Sequence, residues 1–257
     1  MLTFRNTNIF FGAVAVFLLV MQIWFHIPAY LYLGLLLLYI ATLAYGSYNV
    51  DSNFFMKVIC SADTKEKIIA LSFDDGPVHE YTPHVLEILK EEKVPAAFFC
   101  IGKRIVENEN LFRQIHMEGH VIGNHSYSHT PLFDMMPSDR MLEDVQKTDE
   151  AIKKSIGLHP KLFRPPYGVT TPAMKKVMNR GGYTAIGWNI RSLDTIARND
   201  KQLLNKLIRL LRPGAVILLH DTQKITLSIL PRFIRAARNE GYEFVRLDEL
   251  LNVKSYA

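Results

Sequence analysis

Cysteine is nearly absent from the 257-residue chain: the two present, Cys60 and Cys100, lie in apolar stretches without a Cys-x-x-Cys spacing and read as buried core thiols. They say nothing about the compartment. Basic runs interleaved with aromatics are missing, which removes nucleic acid as a partner. No repeat of fixed length and no low-complexity tract occurs. Lys and Arg are also missing from the short break, around His26 and Pro28, between two long apolar runs near the N-terminus.

The first run, Ile9 to Phe25, is interrupted only by Gln22, and the second, residues 27–45, only by Pro28 near its start. Each approaches the ~20 residues that cross a bilayer as helix. Neither has a polar face, which argues against a buried soluble hairpin. No small-x-small site follows the first run, which argues against a cleaved signal peptide. The expectation is an integral membrane segment over residues 1–48, with two transmembrane helices at about 9–25 and 27–45. A hairpin returns the chain to its starting side. Arg5 precedes the pair and Lys57, Lys65 and Lys67 follow it, so the positive-inside tendency puts both ends in the cytoplasm. An extracytoplasmic domain follows instead if one run only dips into the bilayer. The net charge of +5 suits contact with anionic membrane lipid.

Residues 49–66 read as a linker, with a lead-in strand over Phe54–Cys60. Beyond them, apolar strand-like runs recur at Ile68–Phe73, Ala96–Ile101, Val121–Gly123, Lys161–Arg164, Tyr183–Asn189, Ala215–His220 and Glu243–Leu247. Segments of helical spacing lie between them, one opening with Thr82 before Pro83 and others ending at Gly157 and Gly241. This alternation predicts a parallel α/β domain, either a barrel or a doubly wound sheet. Reacting groups in both collect at the carboxyl ends of the strands. The polar outliers fall there: Asp74 and Asp75, His125 and His129, Arg164 to Tyr167, Arg191 to Asp194, and His220 with Asp221.

By itself, Asp74-Asp75-Gly76-Pro77 reads first as a strand-ending turn. Adjacent strand residues point to opposite sides, so its two acids have different surroundings. His125 and His129, four apart, face one way if the segment makes a helical turn, and a nearby carboxylate would complete a two-His, one-Asp metal site. Zinc is the default for such a set, with iron, cobalt and nickel open. His116 and His120 share the spacing but read as a helix end and a strand start.

Phe73–Pro77, His125-Ser-Tyr-Ser-His129, Arg164-Pro-Pro-Tyr-Gly168 and Leu218-Leu-His-Asp221, in this order and at these intervals, resemble the successive motifs of the polysaccharide deacetylases, carbohydrate esterase family 4. The resemblance covers residues 67–251, read as the catalytic domain, and leaves 252–257 as a tail. It implies an irregular (β/α)7 barrel of parallel strands. It also implies a divalent metal on Asp75, His125 and His129, with Asp74 as general base paired to Arg164. The backbone N–H of Tyr167 would stabilise the oxyanion, and His220 would be the general acid. Leu218 would line the acetyl pocket, Pro166 would stiffen the Tyr167 loop beside the substrate, and Trp188 reads as core or pocket wall. The family often has an Asp, two residues, then Asp-Trp after the fifth strand. Here the stretch is Arg191-Ser-Leu-Asp194-Thr195, leaving Asp194 to orient His220 or to pair with Arg191.

The implied activity is metal-dependent removal of N-acetyl, or O-acetyl, groups from amino sugars of a polysaccharide or lipid-linked glycan. Deformylation of a lipid-linked amino sugar is a close alternative. A catalytically inactive, membrane-anchored glycan-binding protein is another, but it predicts a lost ligand or base, and none is lost.

Overall fold

The computed structural model describes residues 2–257. Two apolar helices come first, α1 (Phe4–Met21) and α2 (Ala29–Tyr48), both long and apolar enough to cross a membrane and almost wholly uncovered by the rest of the chain. Their bounds differ from the expected 9–25 and 27–45 for local reasons. Thr3 caps α1, its Oγ1 accepting from Asn6 N, so the polar residues 6–8 join the helix. At the other end Gln22 Oε1 accepts from Ile27 N at 2.9 Å, turning residues 22–28 into the connection, and Pro28 stands at the start of α2. The two helices touch through Tyr39, whose hydroxyl donates to Asn8 Oδ1 at 2.9 Å.

Eight strands follow: β1 (Ile68–Asp74), β2 (Ala96–Cys100), β3 (Val121–Asn124), β4 (Leu162–Phe163), β5 (Thr184–Ala185), β6 (Ile190–Arg191), β7 (Val216–His220) and β8 (Glu243–Phe244). They run parallel in the spatial order β5-β4-β3-β2-β1-β7-β6, and β8 pairs with the start of β1. The helices α3 (Thr82–Glu91), α4 (Gly102–Glu107), α5 (Glu109–Met117), α6 (Ser138–Ile156), α7 (Pro172–Gly181), α8 (Asp200–Leu210), α9 (Lys224–Asn239) and α10 (Leu247–Leu251) connect or follow them. Alternation along the strands divides the core. Ile69, Leu71 and Phe73 pack outward with Phe98, Ile217 and Leu219 against α3, α5, α8 and α9. Ala70, Ala97, Phe99, Val216 and Leu218 face inward. Cys60 and Cys100 are buried free thiols.

The run Tyr183–Asn189, expected as one strand, is strand only over Thr184–Ala185, and a further strand begins just beyond it at Ile190. The first pairs with β4 as β5, and the chain continues into β6, which pairs with β7. One stretch of chain thus reaches both edges of the curled sheet, which makes the barrel irregular. Phe54–Cys60 forms no strand of its own. It contributes a bridge from Ile59 to Ile186, followed by one from Ser61 to Ala215. Phe54, Phe55, Met56 and Val58 are buried, so this stretch is a packed wedge. Residues 252–257 are also tied down: Lys161 N donates to Ser255 O at 2.8 Å, and Ile122 N donates to the Tyr256 hydroxyl at 3.0 Å.

Candidate active site

The inward parity of β1 carries Ser72 and then Asp74 to the barrel interior, where both are buried. Asp75 leaves the strand in a left-handed conformation, φ 76°. Such a backbone costs a non-glycine residue about 1–2 kcal/mol, least for Asp and Asn. The two carboxylates therefore separate through this turn as well as through strand alternation. Arg104 Nη1 donates to Asp75 O at 2.6 Å, and Ile101 N donates to Gly76 O at 3.1 Å, holding the turn from the next strand and helix. A Cβ on Gly76 would collide with the Asp221 carboxylate, which accepts from Thr82 Oγ1 at 2.6 Å.

The segment after β3 is not the helical turn expected from the His spacing. Ser126 and His129 both take positive φ, 65° and 44°, and Asp144 on α6 accepts from Tyr127 N at 2.7 Å and from Ser128 N. Buried Asn124 braces the base of the loop, its Nδ2 donating to Asp149 Oδ1 and its Oδ1 accepting from Ser126 N. The two imidazoles still converge. His125 Nε2 and His129 Nε2 lie 3.6 and 3.5 Å from Asp75 Oδ1, and all three donor atoms fall within 4.8 Å of one another.

This donor set fits a small divalent ion. Asp75 Oδ1 is buried with no hydrogen-bond partner among the described residues. His125 Nδ1 lies 2.8 Å from Arg164 O, an arrangement that makes Nδ1–H the donor and leaves Nε2 with its lone pair facing Asp75. Burial, and then the neighbouring His129, lower the pKa of His125 to about 3, so the ring is neutral. Bonds of ~2.0–2.1 Å in a tetrahedron put donors roughly 3.3 Å apart, close to the 3.6 and 3.5 Å that separate the two imidazole nitrogens from Asp75 Oδ1.

Arg164 follows β4 and has no exposed side-chain surface. Its Nη1 donates to Asp74 Oδ1 at 2.7 Å and to Ser72 Oγ at 2.8 Å, its Nη2 donates to Gly187 O at 3.0 Å, and its guanidinium lies 3.9 Å above the Phe99 ring. Burial raises the Asp74 carboxyl above its ordinary value while the Arg164 charge pulls it back. The result is an ion-paired carboxylate of increased basicity, beside the cluster at 3.8 Å from His125 Nε2.

Across the β1–β7 ladder His220 is the cross-strand partner of Asp74. Its Nδ1 lies 2.7 Å from Asp194 Oδ1, and Asp194 Oδ2 accepts from His220 N and Thr226 Oγ1, both at 2.7 Å. Burial alone would lower the imidazole, but the Asp194 hydrogen bond and charge outweigh it and carry the pKa up to about 9. Arg191 takes no part in this pair; it is exposed and lies over the Trp188 ring at 5.7 Å.

Tyr167 sits in a turn over Pro166–Gly168 with φ 59°, its ring 4.7 Å from that of His129 and its hydroxyl donating to His129 O at 3.2 Å. Pro166 is buried beside it, and a Cβ on Gly168 would strike the Trp188 ring, so Trp188 supports this turn from below. Leu218 is buried on the inner face, opposite Ser72 and one inward position below His220. Thus Asp74, Asp75, His125, His129, Arg164, Tyr167, Asp194 and His220 meet at one end of the sheet, with Pro166, Trp188 and Leu218 beneath or beside them.

Sequence reasoning missed Ser72, Asn124, Asp144 and Thr226. Ser72 did carry a signal, as the lone polar residue in the run Ile68–Phe73 at the inward parity of Asp74. Asn124, next to His125, carried a weaker one. Asp144 and Thr226 carried none, being ordinary polar residues of helices.

A curled parallel α/β sheet with an Asp-His-His cluster beside a buried Asp–Arg pair describes a class of hydrolytic domain, and comparison with known proteins narrows it. The sequence model of the polysaccharide deacetylase family matches residues 61–186. A peptidoglycan-N-acetylglucosamine deacetylase of Bacillus cereus is 36% identical over 195 residues, covering 74% of this chain and 90% of the relative. The peptidoglycan-N-acetylglucosamine deacetylase PgdA of Listeria monocytogenes is 35% identical over 188 residues, covering 73% of this chain. The chain spans only 40% of that relative's length. Among solved structures, the Bc1960 peptidoglycan N-acetylglucosamine deacetylase, in complex with 4-naphthalen-1-yl-N-oxidanyl-benzamide, superposes with a TM-score of 0.74 at 30% identity, covering 78% of this chain and 95% of that one. The chain belongs to the polysaccharide deacetylase family.

Proposed function

We propose that the protein is a metal-dependent hydrolase that removes N-acetyl groups from amino sugars of a glycan, releasing acetate and a free amine. The observation that carries this reading is the paired carboxylate Asp74, lodged beside the Asp75–His125–His129 cluster and opposite His220. A divalent ion, zinc by default, held by Asp75 Oδ1 and the two Nε2 atoms would supply Lewis acidity to the acetyl carbonyl and the water. Asp74 Oδ2 takes the proton of the attacking water, while Arg164 on Oδ1 keeps the carboxylate ionised and aimed. The Tyr167 N–H donates to the oxyanion that develops. His220, held as imidazolium by Asp194, then delivers its Nε2 proton to the departing sugar nitrogen.

The two apolar helices serve as a transmembrane hairpin in this reading, with the domain on the cytoplasmic side by the charge distribution. The test is acetate release from an N-acetylated glucosamine oligosaccharide by the purified protein, before and after chelation and with zinc restored. The reading predicts loss on chelation and recovery with zinc. Acetate without a new amine would instead indicate ester cleavage, and formate from a formylated sugar would indicate deformylation.

A further inference from the structure

The hairpin is docked on the active-site loop. Thr170, three residues after Tyr167 and buried, donates through its N to Ser47 O at 3.0 Å and through its Oγ1 to Gly46 O at 3.3 Å, so it caps the last turn of α2. Gly46 lies so close to the Phe54 ring that a Cβ there would overlap it. Phe4 N, at the start of α1, donates to Phe54 O at 2.9 Å. Both helices therefore meet the domain through one packed wedge, and the turn carrying the oxyanion donor hangs from it.

Three residues span at most about 10 Å, which puts Tyr167 within about 15 Å of the end of α2. The polar layer outside the hydrocarbon core is only about 5–8 Å thick on each side. The same junction holds a cavity of about 730 Å³ lined by Arg5, Lys57 and Lys175 and by no carboxylate, and these three cations make no ion pair among the described residues. That charge suits the phosphate level of a bilayer.

We infer that the enzyme's substrate is a membrane-proximal glycan, an acetylated amino-sugar chain carried on a phosphorylated lipid, of which only the sugars nearest the headgroup are reached. This rests on the deacetylase and hairpin readings above. A flexible tether would let the domain explore a deep layer beyond the membrane; the docked wedge forbids that. The reach of the active site is thereby set by the fold.

The full chain is reconstituted in phosphatidylglycerol-containing vesicles with a polyprenyl-diphosphate-linked N-acetylglucosamine oligosaccharide, and acetyl loss is mapped sugar by sugar by mass spectrometry. The expected pattern is loss concentrated at the lipid end, falling at least about tenfold along the chain. A variant combining Gly46→Leu with a flexible Gly-Ser insertion after Asn49 undocks the hairpin while keeping the membrane anchor. It should spread the loss along the chain, read as the ratio of acetyl loss between sugars of one chain, so that any change in overall rate from the Tyr167 turn, measured separately on the free oligosaccharide, cancels. Even loss along the chain by the wild type, or an unchanged pattern in the variant, overturns the inference. Absence of acetate from free and lipid-linked sugar alike overturns the deacetylase reading itself, and this inference with it.

Discussion

Arg164 is a guanidinium with no water contact, held by Asp74, Ser72 and the carbonyl of Gly187 and covered by Phe99. Removing one partner of a buried ion pair strands the other, at a cost of about 3–5 kcal/mol. Arg164→Met should lower the unfolding free energy by that order in denaturant titration, and reduce acetate release with it. His220 gives the pH dependence. With its pKa carried up to about 9 by Asp194, the imidazolium is present at neutral pH, and kcat/KM should fall as pH rises through about 9. Asp194→Asn removes the charge that raises it, so the falling limb should move to lower pH in a pH–rate profile. The stability contribution has the same sign. A folded pKa above the unfolded value of ~6.5 makes the pair's contribution complete below ~6.5 and lost as pH passes through the folded value.

At the level of elements, the strand motif was easy to read from the sequence because β1 is continuous, apolar and stopped by Asp74-Asp75-Gly76-Pro77. The His loop was not. Two imidazoles four residues apart fit a helical turn, whereas the chain converges them through left-handed Ser126 and His129, braced by the adjacent Asn124 and held from α6 by Asp144. Local spacing carries no trace of a partner as distant as Asp144. Asp144→Ala should loosen the loop and weaken metal binding about 10–100-fold in a zinc titration, as for other residues that orient ligands. The shortening of the run Tyr183–Asn189 to β5, with β6 beginning only at Ile190, was equally hidden: an apolar run gives no sign of where pairing passes from one sheet edge to the other. Glycine at 168 has a double reason, φ 72° and the Trp188 ring against its Cα. Gly168→Ala should displace the Tyr167 turn and lower kcat while zinc stoichiometry stays unchanged.

For the whole molecule, the wedge from Val50 to Cys60 is the part the sequence concealed most. Its apolar residues read as linker and strand, yet they bury themselves between the hairpin and the sheet. The helical pair itself was legible because its apolar surface is almost wholly uncovered among the described residues. Protease added to intact spheroplasts should leave the domain uncut if Arg5, Lys57, Lys65 and Lys67 hold both ends in the cytoplasm; release of the domain from outside would reverse that orientation. The division of labour between Asp74 and Asp75 is tested most directly by Asp74→Asn, with bound zinc and acetate release measured on the same preparation. Bound zinc should stay at the wild-type level while activity falls about 10²–10⁴-fold, the range for losing a general base. Undiminished activity would contradict the role of Asp74 as base, and zinc lost together with activity would make Asp74 part of the metal site.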